Sequence, residues 1–476
     1  MTPWLILALI AGYFLFLILI SWVTGKNTNN AAFFQANKTA PWYLVAFGMI
    51  GSSLSGVTFI SIPGTVAAQS FSYLQLVMGY FFGYLAIIKI LLPLYYKLNL
   101  TSIYAYLGSR LGQNSRYTGA AFFLLSRSIG SSFRLYLVAM VLDSFVLGPM
   151  GVPFWVTVTA TIVLIWLYTF RGGIKTIIYT DTLQTIFLIG AVLMAIGIMA
   201  SDLQLSWAAL PSYIGQTEYS QVFFWDWRDS KNFFKMFFSG AFITIVMTGL
   251  DQDMMQKNLS CRSLPDAQKN MFWFSLVLVV VNLLFLSLGA LLYSYAAAKQ
   301  IALPAKSDEL FPMLALQHFV PIAGVIFIIG LIAAAYSSAD SALTALTTSF
   351  CVDFLGFTDE KGSVRTRMGV HIGMSVLLGV QILLFKSLHN QSLITQLFTI
   401  AGYTYGPLLG MFAFGLFTRK QIHDRWVPLI AIISPLCCYV LSLNAENWLN
   451  GYKFGFELLM LNGALTFGGL WLLKRR

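Results

Sequence analysis

Charge is scarce in this chain. Only 10% of its 476 residues are Asp, Glu, Lys or Arg, against about 25% in an ordinary soluble domain, and that excludes a water-soluble globular protein. Polar, aromatic-poor tracts are missing as well: 40 Phe, 22 Tyr and 12 Trp exclude a disordered chain. Cysteine occurs only at Cys261, Cys351, Cys437 and Cys438, in or beside apolar runs and without a Cys-x-x-Cys spacing, so neither a zinc site nor a disulfide framework is expected. His318, His371, His389 and His423 stand far apart near the ends of apolar runs, which leaves no acid–base pair at one depth. A phosphate loop is also absent. Gly25-Lys26 is followed by Asn27, and Lys175-Thr176 lacks the preceding glycine, so ATP-driven transport from this chain alone is not expected. The longest connections, near 201–233 and 298–319, have room for short surface helices but not for an enzyme domain.

What fills the chain is apolar: 58% hydrophobic residues and a mean hydropathy of +0.75. Its length suits a dozen or so membrane spans of about 20 residues each. Apolar runs broken by charge and by Pro/Gly clusters predict thirteen spans, near 4–23, 41–68, 72–97, 118–147, 154–170, 176–200, 234–256, 271–297, 320–354, 367–386, 392–417, 426–443 and 454–473. The first has no basic region before it and no cleavage site after it, so it reads as a retained helix. The formal charge of +11 is spread over short loops rather than clustered as nucleic-acid binding needs. Most Lys and Arg fall on the side of Lys474, Arg475 and Arg476. The positive-inside rule then puts the C-terminus in the cytoplasm and the N-terminus outside.

Few charges lie deep in these runs, and each costs roughly 2.5–3.5 kcal/mol on insertion scales, so each asks for a partner or a function. Arg127, Arg134, Asp181 and Asp340 are the deep ones. Ser337, Asp340, Ser341, Thr344 and Thr348 share one helix face, and their hard oxygens suit an alkali cation. Isolated hydroxyls often only pack helices; four on one face with an acid favour a ligand set. The 41–68 run carries Gly48, Gly51, Ser52, Ser53, Ser55, Gly56 and Pro63-Gly64, the composition of a helix unwound beside a cavity. The 234–256 run has Ser239-Gly240 and Thr248-Gly249 in its middle, and interrupted helices in corresponding halves point to an inverted-repeat transporter. Arg127, Ser131 and Arg134 form a polar stripe. A guanidinium there suits either a substrate carboxylate or a structural ion pair with Asp181 or Asp340.

Four motifs carry a family likeness. They are Gly172-Gly173 with Tyr179-Thr180-Asp181-Thr182-Leu183-Gln184; Asp251-Gln252 with Gln256-Lys257; the Ser337-Ser338 segment running to Asp353; and Gly406-Pro407-Leu408-Leu409-Gly410 with Gly415-Leu416-Phe417. On these the chain resembles the sodium/solute symporter family, whose members carry glucose, proline, iodide, vitamins or sialic acid. The resemblance implies an all-α membrane protein with a leucine-transporter-like five-plus-five inverted repeat. Residues 1–40 form a leading helix and loop, 41–200 and 234–417 the two repeats around an extracytoplasmic loop at 201–233, and 418–476 two trailing helices. It implies a main sodium site from the carbonyls of Gly51, Leu54 and Ala334 and the hydroxyls of Ser337 and Ser338. Asp181 would lie on the exit route or form a second sodium site with Ser337, Asp340 and Ser341. Asp340 departs from the family, since compared members carry serine there; the added carboxylate would strengthen that site or hold a proton. Ser53, Ser55, Thr58, Phe71, Gln75 and Arg134 are similar to substrate positions of the sialic acid branch. The implied activity is sodium-coupled import, by alternating access, of a small polar solute bearing a carboxylate, such as sialic acid or another sugar acid. A neutral sugar, amino acid, monocarboxylate or vitamin is the alternative, and a transporter-fold ligand sensor the alternative of another class. Sodium is the implied coupling ion, with no organic cofactor. The partners would be solute, sodium and the lipid bilayer of a bacterial inner (cell) membrane, with neither nucleic acid nor an obligatory protein partner.

Overall fold

A computed structural model describes residues 3–24, 30–169, 173–358, 361–386 and 393–475. Gly172, Lys26 and His389 of the sequence reading lie outside them. The described chain is helical, with only isolated β-bridges at Ala40–Cys261 and Ile422–Lys474. In chain order the helices that matter below are α1 (Pro3–Thr24), α2 (Trp42–Ser53), α3 (Gly56–Gln69), α4 (Tyr73–Ala86), α5 (Gln113–Leu142), α6 (Phe154–Thr169), α7 (Gly173–Asp202), α8 (Phe233–Thr244), α9 (Gln252–Asn258), α10 (Leu264–Ala298), α11 (Pro321–Ser349), α12 (Val364–Phe385), α13 (Leu393–Phe417), α14 (Val427–Trp448) and α15 (Leu458–Leu472).

By length and composition, nine of the described helices can cross a membrane, or ten if the bent α8–α9 pair is one span. Shorter apolar helices, α2, α6 and α15, occupy others of the expected runs. The surface explains the composition: α12 turns Ile372, Val376, Val380 and Leu383 outward, which only lipid tolerates as a continuous stripe.

Both expected interruptions are present, with one difference. Helix α2 ends at Leu54 (φ −85°, ψ 75°) and α3 restarts after the extended Ser55, where glycine and serine give the chain little helical preference. In the second half the chain bends by 69° between Gly249 and Gln252. There Asp251 caps α9, accepting from the backbone N–H groups of Asp253 at 2.9 Å and Met254 at 3.3 Å. Ser239-Gly240, by contrast, lies inside the continuous α8. Its glycine serves packing: a Cβ on Gly240 would stand 2.0 Å from the Leu76 carbonyl oxygen, and one on Gly79 2.0 Å from that of Phe237. Helices α4 and α8 therefore cross backbone to backbone.

Helix α11 is the spine. Every side chain from Gly330 to Ser349 is buried, and the helix packs against α7, α5, α12 and α2. The end of α13 is fixed to the start of α5 by two charged caps. Asp424 accepts from the N–H groups of Asn114 at 2.7 Å and Ser115 at 2.8 Å. Arg110 donates to the carbonyls of Gly415 at 3.1 Å and Thr418 at 2.5 Å.

Candidate ion and substrate site

The break between α2 and α3 lies against α11 and α7. A Cβ on Gly51 would be 2.3 Å from Thr185 Oγ1, 3.2 Å from the Asp181 carbonyl oxygen and 3.2 Å from Ser337 Oγ, so only glycine lets α2 reach this depth. A Cβ on Gly56 would be 3.6 Å from that of Ala335. Of the expected sodium ligands, Gly51 and Ser337 thus meet directly, with Leu54 at the break and Ala334 and Ser338 on the adjoining stretch of α11. Ser337 Oγ and Asp181 Oδ1 are buried without a hydrogen-bond partner among the described residues. An unsatisfied buried oxygen costs about 1–3 kcal/mol, and two such oxygens at one junction fit a hard monovalent cation. Ser338 is already engaged: its Oγ accepts from Arg134 Nη1 at 2.7 Å.

Around Asp181 the structure departs from expectation. Lys257, from α9, reaches Asp181 Oδ2 at 2.7 Å and also donates to Ser52 Oγ, while Ser52 donates to the same carboxylate oxygen at 2.8 Å. Of the other members of the expected second ion site, Ser337 stays at the junction beside Asp181, while Asp340 and Ser341 are engaged by other groups. Asp340 accepts from Tyr168 on α6 at 2.9 Å and from the Ser341 backbone N–H, and the Ser341 hydroxyl donates to Asp253. The cause is the bend before α9, which swings Asp251, Asp253 and Lys257 into the core. Arg127 is corrected for the same reason. It pairs with Asp253 and lies 4.0 Å from Asp251, not with Asp181 or Asp340, and Tyr405 donates to Asp251 at 2.5 Å.

Beside this junction is a cavity of about 90 Å³, whose lining includes Ser53, Ser55, Thr58 and Arg134 together with Tyr73, Tyr80, Tyr84, Thr248 and Asn282. Arg134 is buried and has no carboxylate in ion-pair reach among the described residues, and its Nε has no partner. Four of the six expected substrate residues therefore face this space. Phe71 and Gln75 do not. The Gln75 amide donates to the Lys231 carbonyl at 2.9 Å and accepts from Phe224 N–H at 3.3 Å, and Phe71 N–H donates to Gln221 O at 3.0 Å. Both residues fasten the 201–233 connection over the site. The chain turns at Ser70 (φ 51°) and directs them there. Tyr80 and Tyr84 carry no signal of their own, although with Tyr73 they fall at i, i+7 and i+11 on one helix face. The hydroxyls of Tyr73 and Tyr80 are 3.0 Å apart.

Two further cavities flank the site. One of about 410 Å³ lies beyond Phe398, which lines both it and the central cavity, and is bordered by Gln69, Lys231, Tyr403 and Phe456. The other, of about 470 Å³, lies at the far end of α11 beside Ser102, Arg116 and Val352. There Asp353 is held by Arg116 at 3.0 Å, Ser102 at 2.7 Å and Ser349 at 2.9 Å.

Comparison with known proteins agrees with this architecture. The pattern described as the Sodium:solute symporter family matches residues 33–423. The sodium/sialic acid symporter NanT of Aliivibrio fischeri is 26% identical over 91% of this chain and 87% of its own. The sodium/sialic acid symporter SiaT of Proteus mirabilis is 24% identical over 94% and 91%. Among solved structures, a substrate-bound outward-open sodium-coupled sialic acid symporter superposes with a TM-score of 0.80 at 21% identity, covering 98% of this chain and 97% of that one. A nucleobase-cation-symport-1 family transporter in a closed conformation gives 0.55 at 16% identity, over 93% and 94%. These likenesses show a shared fold, that of the leucine-transporter-like carriers.

Proposed function

The chain belongs to the sodium:solute symporter family, and from that premise we propose that its cargo is a small solute with a carboxylate, a sialic acid or another sugar acid. It is an integral membrane transporter and not an enzyme, with sodium as its coupling ion. The observation that carries the substrate reading is Arg134. A buried guanidinium with no acidic partner in ion-pair reach among the described residues faces the central cavity, and a planar fork of that kind is suited to a carboxylate.

The same side chain ties solute to ion. Arg134 holds the hydroxyl of Ser338, one of the oxygens assigned to the main sodium seat with Ser337 and the carbonyls of Gly51, Leu54 and Ala334. Sodium at this seat would draw the α2–α3 break onto α11 and fix Ser338, and with it the orientation of Arg134. The seat for the carboxylate is then complete only when the ion is bound. Residues 41–200 and 234–417 serve as the two inverted repeats, with the 201–233 connection outside, the N-terminus outside and the C-terminus in the cytoplasm of a bacterial inner membrane. The membrane potential contributes about 2.3 kcal/mol per sodium charge per 100 mV to inward accumulation.

Uptake of labelled N-acetylneuraminate into proteoliposomes tests this. An inward sodium gradient should drive accumulation that choline does not support, and counterflow should exchange unmodified solute. Sodium-driven uptake of a neutral sugar with no competition by sugar acids would overturn the carboxylate assignment.

A further inference from the structure

Lys257 is a buried ammonium that neither the sodium seat nor the solute cavity uses. It is 1% exposed and Asp181 is not exposed at all. Its Nζ lies 2.7 Å from Asp181 Oδ2 and donates to Ser52 Oγ. Ser52 follows Gly51 directly, so the lysine head occupies oxygens that adjoin the sodium seat. The short helix that bears it, α9, packs against both α2 and α11, the two helices that form the seat.

Two physical facts bear on this arrangement. A buried carboxylate must be matched by a cation, and Asp181 has two candidates, the tethered ammonium and a transported sodium. Both are monovalent and both are satisfied by hydroxyl and carboxylate oxygens, yet placed side by side in a weakly polarisable interior they repel. The surrounding charges sharpen the choice: Arg127, Arg134 and Lys257 are buried against Asp181, Asp251, Asp253 and Asp340. Removing the lysine charge leaves these carboxylates with one cation fewer and makes the site more receptive to a mobile one.

We propose that Lys257 is a tethered counter-ion that trades places with sodium at Asp181 during the transport cycle. The ammonium holds the carboxylate when the transported ion has left, and it withdraws when sodium arrives. Because Lys257 rides on α9, its withdrawal loosens α9 from α2. Arrival of the ion is thereby transmitted from the first broken helix to the second. This rests on the sodium-symport reading and adds to it a competitor for the ion built into the chain.

The test reads sodium binding alone, without solute. Thermal unfolding of the detergent-solubilised protein is followed while sodium chloride replaces choline chloride at constant ionic strength, since an ion that binds the folded state raises its apparent stability. Lys257→Met should lower the half-saturating sodium concentration by about tenfold, the scale of one lost charge-assisted contact. Lys257→Arg, which keeps the charge, should stay near wild type. A merely structural lysine would lower the unfolding temperature in choline without improving sodium binding. An unchanged or increased half-saturating concentration in Lys257→Met therefore overturns the proposal. Should that variant not fold, Ser52→Ala weakens the hold on the ammonium while leaving the pair in place. It should lower half-saturating sodium by about threefold, and no change or an increase is again contrary. A wild-type protein that sodium does not stabilise at all would overturn the symport reading itself, a separate result.

Discussion

Arg134 Nη1 donates to Ser338 Oγ across 2.7 Å, joining a guanidinium that faces the solute cavity to a hydroxyl assigned to the sodium seat. The two lie 204 positions apart in the chain and meet because α5 and α11 pack side by side. Under the proposed function, this one hydrogen bond is the physical link between ion and solute.

Replacing the guanidinium should separate acidic from neutral ligands. Arg134→Gln is expected to lose about 2–5 kcal/mol of binding to a sugar acid, the usual loss when one partner of a buried charge pair is removed. A neutral analogue of the same sugar should bind nearly as before. Isothermal titration with the two ligands checks this, and equal losses would make Arg134 a structural residue.

The two serines of α11 should differ. Ser337 Oγ has no hydrogen-bond partner among the described residues, so Ser337→Ala is expected to act chiefly on sodium and raise its half-saturating concentration by about tenfold. Ser338→Ala also releases Arg134 and should weaken the solute as well. Sodium and solute titrations of uptake in proteoliposomes distinguish the two patterns.

The Arg127–Asp253 pair should behave as a buried ion pair. Arg127→Met leaves a carboxylate stranded in the core and should cost about 3–5 kcal/mol, while the double variant Arg127→Met with Asp253→Leu should recover much of that. Thermal unfolding in detergent reads the difference. Equal unfolding temperatures for single and double variants would contradict the pairing.

Glycine substitution should report the α4–α8 crossing. Gly240→Ala places a Cβ 2.0 Å from the Leu76 carbonyl and is expected to destabilise by about 1–3 kcal/mol through overpacking. Gly190→Ala on α7, with nothing within 4 Å, should be neutral or stabilising by up to about 1 kcal/mol. Unfolding temperatures of the two variants make the comparison.

Local composition made several features legible in advance. Glycine and serine around Leu54 announced the break, and hydroxyls at helical spacing announced the buried face of α11. Four of the expected substrate positions line the central cavity because they sit at or just after that break or on the arginine stripe of α5. What escaped depends on distance along the chain. Lys257 meets Asp181 across 76 positions and Arg127 meets Asp253 across 126, and neither pairing leaves a trace in periodicity. Both follow from a 69° bend whose angle no residue pattern specifies. Gln75 misled for a related reason: the turn at Ser70 sends its amide toward a connection more than 140 residues further on.

The contact of Gly79 with Phe237 and of Gly240 with Leu76 has a consequence for how the carrier moves. Two backbones with no layer of side chains between them have nothing to slide on. Helices α4 and α8 should therefore move as a single plank, and any rearrangement of the cavity must come from the helices around that plank.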